Sequence, residues 1–263
     1  MSKLKYLYLG TNTKMYKTIR DTTDYLTELK QLTADLKDAP LRLFVIPSYT
    51  SLESVGKLLE NSHISLGAQN MCWEETGEFT GEISPLMLAE TGVSIVEIGH
   101  SERRHKLKET DADQEKKTAS AVSHGFTPLL CVGETKEQKD YGISDETLMI
   151  QLKIGLHSMQ PTETKHLMIA YEPVWAIGAA GTPAKSDYIE KRHHTIRAAL
   201  VSLFGEEAGR QIPILYGGSV NQENSSEMIK LPDVDGLFIG RSAWDAGRFN
   251  EIIRQVLPIY LTK

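Results

Sequence analysis

The chain has 263 residues, 40% hydrophobic and 24% charged, an ordinary composition for a folded globular protein. Its formal net charge of −6 argues against a nucleic-acid surface, and no apolar run approaches the ~18 residues of a membrane helix. The two cysteines, Cys72 and Cys131, supply neither a disulfide framework nor metal-ligand spacing, and MSKLKYLYLG lacks the apolar core of a secretion signal, so a reducing cytoplasm is expected.

In chain order, eight short segments rich in aliphatic or aromatic residues read as strands: Tyr6–Leu9, Leu41–Ile46, Ile64–Leu66, Ser94–Ile98, Thr127–Val132, Leu167–Tyr171, Ile212–Tyr216 and Gly236–Ile239. Near-continuous apolar runs of this kind suit strands buried on both faces of a parallel sheet. Helical periodicity separates them. After the first strand, Ile19, Tyr25, Leu26, Leu29, Leu32 and Leu36 fall mainly three or four apart; after the sixth, Ile189, Ile196, Leu200 and Leu203 do the same before Gly205 stops the pattern. Eight strand–helix units in a chain of this length predict closure into a (β/α)8 barrel, one domain over residues 1–263. No Gly-x-Gly-x-x-Gly follows the first strand, which counts against a dinucleotide-binding sheet.

In such a barrel the chemistry lies just past the C-terminal ends of the strands. Those positions hold Asn12 and Lys14, then Gln69 and Asn70, His100, Cys131 and Glu134, Glu172, Gly217-Gly218-Ser219, and Gly240-Arg241. Titratable and polar residues gather at one rim, which packing does not explain.

Seven blocks now fall into register: AQN at 68–70, GEISP at 81–85, EIGHSERR at 97–104, CVGE at 131–134, AYEPVWAIG at 170–178, YGGSV at 216–220 and DVDG at 233–236. In this order they resemble the triosephosphate isomerase family across essentially the whole chain. The resemblance implies a TIM barrel that interconverts glyceraldehyde 3-phosphate and dihydroxyacetone phosphate through an enediolate, without cofactor or metal. It implies Glu172 as the base, His100 as a neutral imidazole donating to substrate oxygen, Lys14 with Asn12 as the electrostatic stabilisers, and Glu102 as the partner of Lys14. It also implies a phosphate site of backbone amides at Gly178, Ser219, Gly240 and Arg241, with Ser219 and Gly240-Arg241 each opening a short helix. Residues 173–184 resemble the family's mobile lid. The segment Met71 to Glu82 resembles the loop that docks into a second copy, so a homodimer is expected, with Thr80 approaching Asn12 and Lys14 across the interface and Glu82 pairing with Arg103.

The chain departs from the family at several points. Thr13 stands where Trp is usual and Tyr16 where Asn is; Ala179-Ala180-Gly181-Thr182-Pro183 alters the lid tip. Arg241 replaces a glycine, and its side chain could meet the phosphate or point to solvent. The segment Gly240-Arg241-Ser242-Ala243-Trp244 is similar to erythrulose-phosphate isomerases, which leaves a four-carbon ketose phosphate as the alternative substrate. A barrel aldolase would want a Schiff-base lysine within a strand, and a metal-dependent epimerase His and Asp ligands at several strand ends; neither is seen. A non-catalytic sugar-phosphate binder is disfavoured by the intact Asn12, Lys14, His100 and Glu172. Lys106-Leu107-Lys108 and Lys116-Lys117 read as solvated helix faces, His193-His194 lacks a metal-ligand partner, and Cys131 reads as core rather than nucleophile.

Overall fold

Strands covered on both faces need apolar side chains on both, and the eight apolar segments meet that need. The computed structural model describes residues 3–178 and 181–263. Its strands are β1 (Leu7–Asn12), β2 (Leu41–Ile46), β3 (Ile64–Ala68), β4 (Ile95–Ile98), β5 (Thr127–Val132), β6 (Met168–Tyr171), β7 (Ile214–Tyr216) and β8 (Gly236–Phe238). All pair in parallel with their sequence neighbours, and β8 closes on β1 with Tyr8 opposite Gly236 and Gly10 opposite Phe238. The result is a closed (β/α)8 barrel.

Alternation along each strand divides the core in two. On β2, Leu43 and Val45 pack outward against the helices, while Phe44 and Ile46 point into the barrel beside Leu129, Met168, Leu215 and Phe238. Burying each such side chain fully is worth about 1.5–3 kcal/mol.

Several strand ends differ from the sequence reading by one to three residues, and two of these differences have a clear physical reason. Strand β1 runs on to Asn12, because residues 10–12 keep register with Phe44, Val45 and Ile46. Strand β7 starts only at Ile214, since Pro213 has no N–H to give the ladder. Helix starts follow local capping: Thr18 and Asp21 form a reciprocal box before Ile19–Leu32, and Thr110 with Asp113 does so before Asp111–Ser123. Gly205 caps Ser186–Phe204 as expected.

Ser219 opens no helix. The helix after β7 is Ser225–Lys230, and the intervening turn is held by the side chains of Asn221 and Asn224. Lys117 is likewise not solvated: it is buried, with Nζ 2.9 Å from Asn70 Oδ1 and 2.6 Å from Glu109 Oε1. Among the described residues no helix is long and apolar enough to cross a membrane.

Candidate active site

The C-terminal rim of the barrel encloses a cleft of about 330 Å³. Asn12, Lys14, His100, Glu102 and Glu172 line one side of it, and Gly178, Ser219, Gly240 and Arg241 the other. Side chains separated by up to 229 positions in sequence meet here because every strand ends on the same rim.

Glu172 follows β6 directly and is 5% exposed. Its Oε2 has no hydrogen-bond partner among the described residues, and it stands 3.6 Å from His100 Nε2. The backbone leaves room for it at Gly217, where a Cβ would come within 2.7 Å of Glu172 Cγ. An unpaired buried carboxylate oxygen is costly, so its free lone pairs need a functional reason.

His100 is the N-cap of the helix Ser101–Lys106, and its Nδ1 accepts the N–H of Glu102 at 3.1 Å. An acceptor nitrogen carries no proton, so in the neutral ring the hydrogen resides on Nε2, facing Glu172 and the cleft. Burial pushes the imidazole pKa below the usual histidine value, against the pull of the Glu172 charge and with help from Lys14. Arg104 fixes this turn by donating from Nε to Gly99 O at 2.6 Å and from Nη2 to Cys131 O at 3.2 Å, with Asp111 as its ion-pair partner.

Lys14 occupies the left-handed region at φ 53°, held there by its own N–H donating to Asn12 Oδ1 at 2.6 Å. Its Nζ lies 2.9 Å from Glu102 Oε1. Burial works against the ammonium, but that hydrogen bond and the charges of Glu172, Glu102 and Glu97 outweigh it and hold the lysine pKa above its ordinary value. Glu102 is correspondingly lowered: burial resists, and the bond to Lys14 prevails.

Asn12 is oriented from below. Its Nδ2 donates to Glu97 Oε2, and its Oδ1 also accepts from Gln69 Nε2 at 3.0 Å. Glu97 points into the barrel from β4, fully buried, and burial with the nearby Glu172 charge pushes its carboxyl well above the usual range. The sequence reading passed over Glu97. Its signal was a lone carboxylate within the apolar strand Ile95–Ile98, where an inward position must be paired.

The lid segment is fastened at both sides. Glu134, fully buried, accepts from Trp175 Nε1 at 2.8 Å, Tyr188 OH at 2.8 Å and Tyr171 OH at 3.1 Å, which seats the first hinge. Glu134 was placed at the rim from sequence without a role, and Tyr188 was missed. Ser219 Oγ donates to Ala176 O at 2.6 Å. Gly178 has φ +81°, a conformation that suits glycine. Arg241 neither buries itself nor turns away: it lines the cleft, and Nη2 donates to Gly178 O at 3.2 Å. Ala179 and Ala180 of the altered tip lie outside the described residues.

The indole of Trp244 donates to Asn12 O at 2.9 Å and lies against Tyr16, the ring centroids 4.6 Å apart and the planes tilted by 38°. Tyr16, a departure from the family, thus touches Trp244 of the segment that is similar to erythrulose-phosphate isomerases, and Trp244 in turn holds the end of β1. Thr80 is not brought into the cleft of its own chain; it is exposed. Arg103 is engaged within its own chain by Glu109, 2.6 Å away. Cys131 is buried beneath the site, its thiol pKa raised by burial and the Glu172 and Glu97 charges. Among the described residues no three His, Cys, Asp or Glu side chains cluster as a metal site.

Residues 7–256 match the family model described as triosephosphate isomerase. A protein of Rhizobium etli is 44% identical over 253 residues, spanning 95% of this chain and 92% of its own length. One of Rhizobium meliloti is 43% identical over 252 residues, covering 95% and 96%. One of Brucella abortus is 41% identical over 248 residues, covering 94% of each. All three are called L-erythrulose-1-phosphate isomerase. These relatives overturn the expectation that the substrates are glyceraldehyde 3-phosphate and dihydroxyacetone phosphate. Most of the blocks that carried that expectation lie at the C-terminal rim and 233–236 lies at the other end, leading into β8; none of them distinguishes a three-carbon from a four-carbon chain.

Proposed function

The chain belongs to the triosephosphate isomerase family, and from that premise we propose that it isomerises a four-carbon ketose phosphate, converting L-erythrulose 1-phosphate to D-erythrulose 4-phosphate. The carbonyl passes between two inner carbons, so substrate and product are both ketoses. The observation that carries the chemistry is the unpaired Oε2 of Glu172, buried and 3.6 Å from His100 Nε2. The choice of substrate is supported by the names of the relatives that cover nearly the whole chain.

In this reading Glu172 takes the proton from C3, next to the C2 carbonyl, and an enediolate forms across C2 and C3. The same carboxyl returns the proton to C2, leaving the carbonyl at C3. His100 donates from Nε2 to the two oxygens in turn and moves a proton between them. Lys14 and Asn12 offset the negative charge that develops on the enediolate, and Glu102 keeps Lys14 in place. Amides of Gly178, Ser219, Gly240 and Arg241 receive the phosphate. No step requires a metal or cofactor.

Family likeness also supports a homodimer, in which Thr80 of one copy would wall the cleft of the other near Asn12 and Lys14. The test is to incubate the protein plus chelator with L-erythrulose 1-phosphate and, separately, dihydroxyacetone phosphate, following products by NMR. We expect kcat/KM for the tetrulose phosphate to exceed that for the triose phosphate at least about tenfold, a difference of ~1.4 kcal/mol in transition-state binding. Equal or greater activity on the triose would sink the substrate assignment. Sedimentation of the same preparation should return twice the 29.4 kDa chain mass.

A further inference from the structure

Ser219 and Arg241, two of the residues whose amides are expected at the phosphate, both reach the lid with their side chains in this structure. Ser219 Oγ donates to Ala176 O at 2.6 Å, and Arg241 Nη2 donates to Gly178 O at 3.2 Å. They arrive from different loops, after β7 and β8, and grip the lid at two carbonyls two residues apart. The lid closes on itself between these points and its second half, where Thr182 N–H donates to Trp175 O at 3.1 Å.

Serine has one hydroxyl proton, and here it is committed. Arginine is different: a guanidinium has five N–H groups in a rigid fork, and only one makes a hydrogen bond among the described residues. Arg241 is exposed and lines the same cleft as Ser219 and Gly240. A dianion entering that cleft meets a fork already anchored on the lid.

We propose that Arg241 is a positioning residue that ties the lid to the substrate's phosphate, holding the Gly178 carbonyl with one arm of the guanidinium and the phosphate with the other. The proposal rests on the reading of the cleft as the site of a phosphorylated ketose. It explains why a long cation is accommodated at a position where the family carries glycine. Phosphate binding then strengthens lid closure directly, because one side chain serves both. The backbone amide of residue 241 alone would contact the phosphate but would leave the Gly178 carbonyl without this donor.

Closure guards the enediolate. If the lid opens while the enediolate is present, the electron pair on the C3 oxygen forms C3=O, the double bond shifts to C1=C2, and the C1–O bond breaks. Inorganic phosphate leaves with that bonding pair, and the remaining enol becomes 1-hydroxybutane-2,3-dione. Exclusion of water and a fixed phosphate suppress this loss.

The experiment compares wild type, Arg241→Ala and Arg241→Lys in two measurements. The first is inorganic phosphate released per isomerisation of L-erythrulose 1-phosphate, together with KM. The second is hydrogen exchange of the 174–182 segment with and without saturating inorganic phosphate, which does not depend on the identity of the sugar. Arg241→Ala should raise KM about tenfold, the usual scale for a lost hydrogen bond to a charged group. It should also raise phosphate release per turnover severalfold and abolish the protection of the lid by phosphate. Arg241→Lys should recover most of the KM while leaving release and exchange impaired, since an ammonium is a point charge without a fork. Unchanged release and exchange in Arg241→Ala, or complete recovery of both by lysine, would overturn the proposal. If no protein turns over the tetrulose phosphate, the substrate reading fails, and the exchange data still decide the role of Arg241.

Discussion

Glu172 and His100 face each other across 3.6 Å, each buried, each with one atom reserved. On Glu172 that atom is Oε2, and on His100 it is the Nε2 hydrogen left facing the cleft by the N-cap bond at Nδ1. If the two divide the work as proposed, their substitutions should fail differently. Glu172→Asp withdraws the carboxylate by one methylene, and a misplacement of ~1 Å can cost ~10²-fold in rate. Thermal melting should hardly change, since a carboxylate of the same charge remains. His100→Gln should lower kcat by ~10²–10⁴-fold and leave the affinity for inorganic phosphate nearly intact. Turnover in both variants, assayed beside melting and phosphate titration, checks the pair. Loss of phosphate binding in His100→Gln would make His100 a structural cap, and full activity in Glu172→Asp would remove Glu172 from proton transfer.

Elements carry these residues to the rim, and they differ in how plainly the sequence announced them. The strands were legible because double-sided burial demands apolar residues without interruption, as at Leu129–Val132 and Ile169–Tyr171. The places of Glu172 and His100 at the rim were legible because a strand end in a barrel has a fixed address, while the roles expected of them came from the family resemblance. The supports beneath them were not. Glu97, Glu134 and Gln69 act through partners 37 to 85 positions away, and no local pattern marks such pairs. Lys117 is the clearest case, since a Lys-Lys doublet in a polar helix looks solvated. The helix Asp111–Ser123 instead turns that side chain toward Glu109 and Asn70. Lys117→Met should therefore destabilise the protein by about 2 kcal/mol, because Asn70 and Glu109 lose a buried partner. For a chain of this size that lowers Tm by roughly 4–8 °C. Calorimetry showing no shift would mean that Arg103 alone satisfies Glu109.

At the scale of the whole molecule, mild acid acts on stability through buried groups of opposite sign, and His193 is one that lowers it. The ring is fully buried against Tyr171, and burial depresses its pKa to about 3. Above the ordinary histidine value of 6.5 the ring is neutral whether folded or not, and its contribution is complete. Below that value the unfolded chain takes up a proton that the folded one refuses until about pH 3, so stability drops by ~1.4 kcal/mol per pH unit in this window. Asp235 works the other way: burial raises it to about 6 despite Arg197, so the folded form holds its proton and gains as pH falls toward 4. Comparing urea unfolding of wild type and His193→Asn between pH 7 and 5 isolates the histidine; the variant should lose less stability on acidification. Equal losses would place the acid sensitivity elsewhere. The seam between β1 and β8 has a further consequence, which concerns the order of events in synthesis. Tyr8 is opposite Arg42 on one side from early on, but on its other side it finds a partner only when Gly236 has been made, 228 residues later. Until then the nascent sheet has two open edges, and the N–H and C=O groups of β1 that point away from β2 are free to recruit a strand from any neighbouring chain. The last strand to leave the ribosome is thus the one that ends the danger of aggregation, and the cell must shelter an almost finished barrel until residues 236–238 arrive.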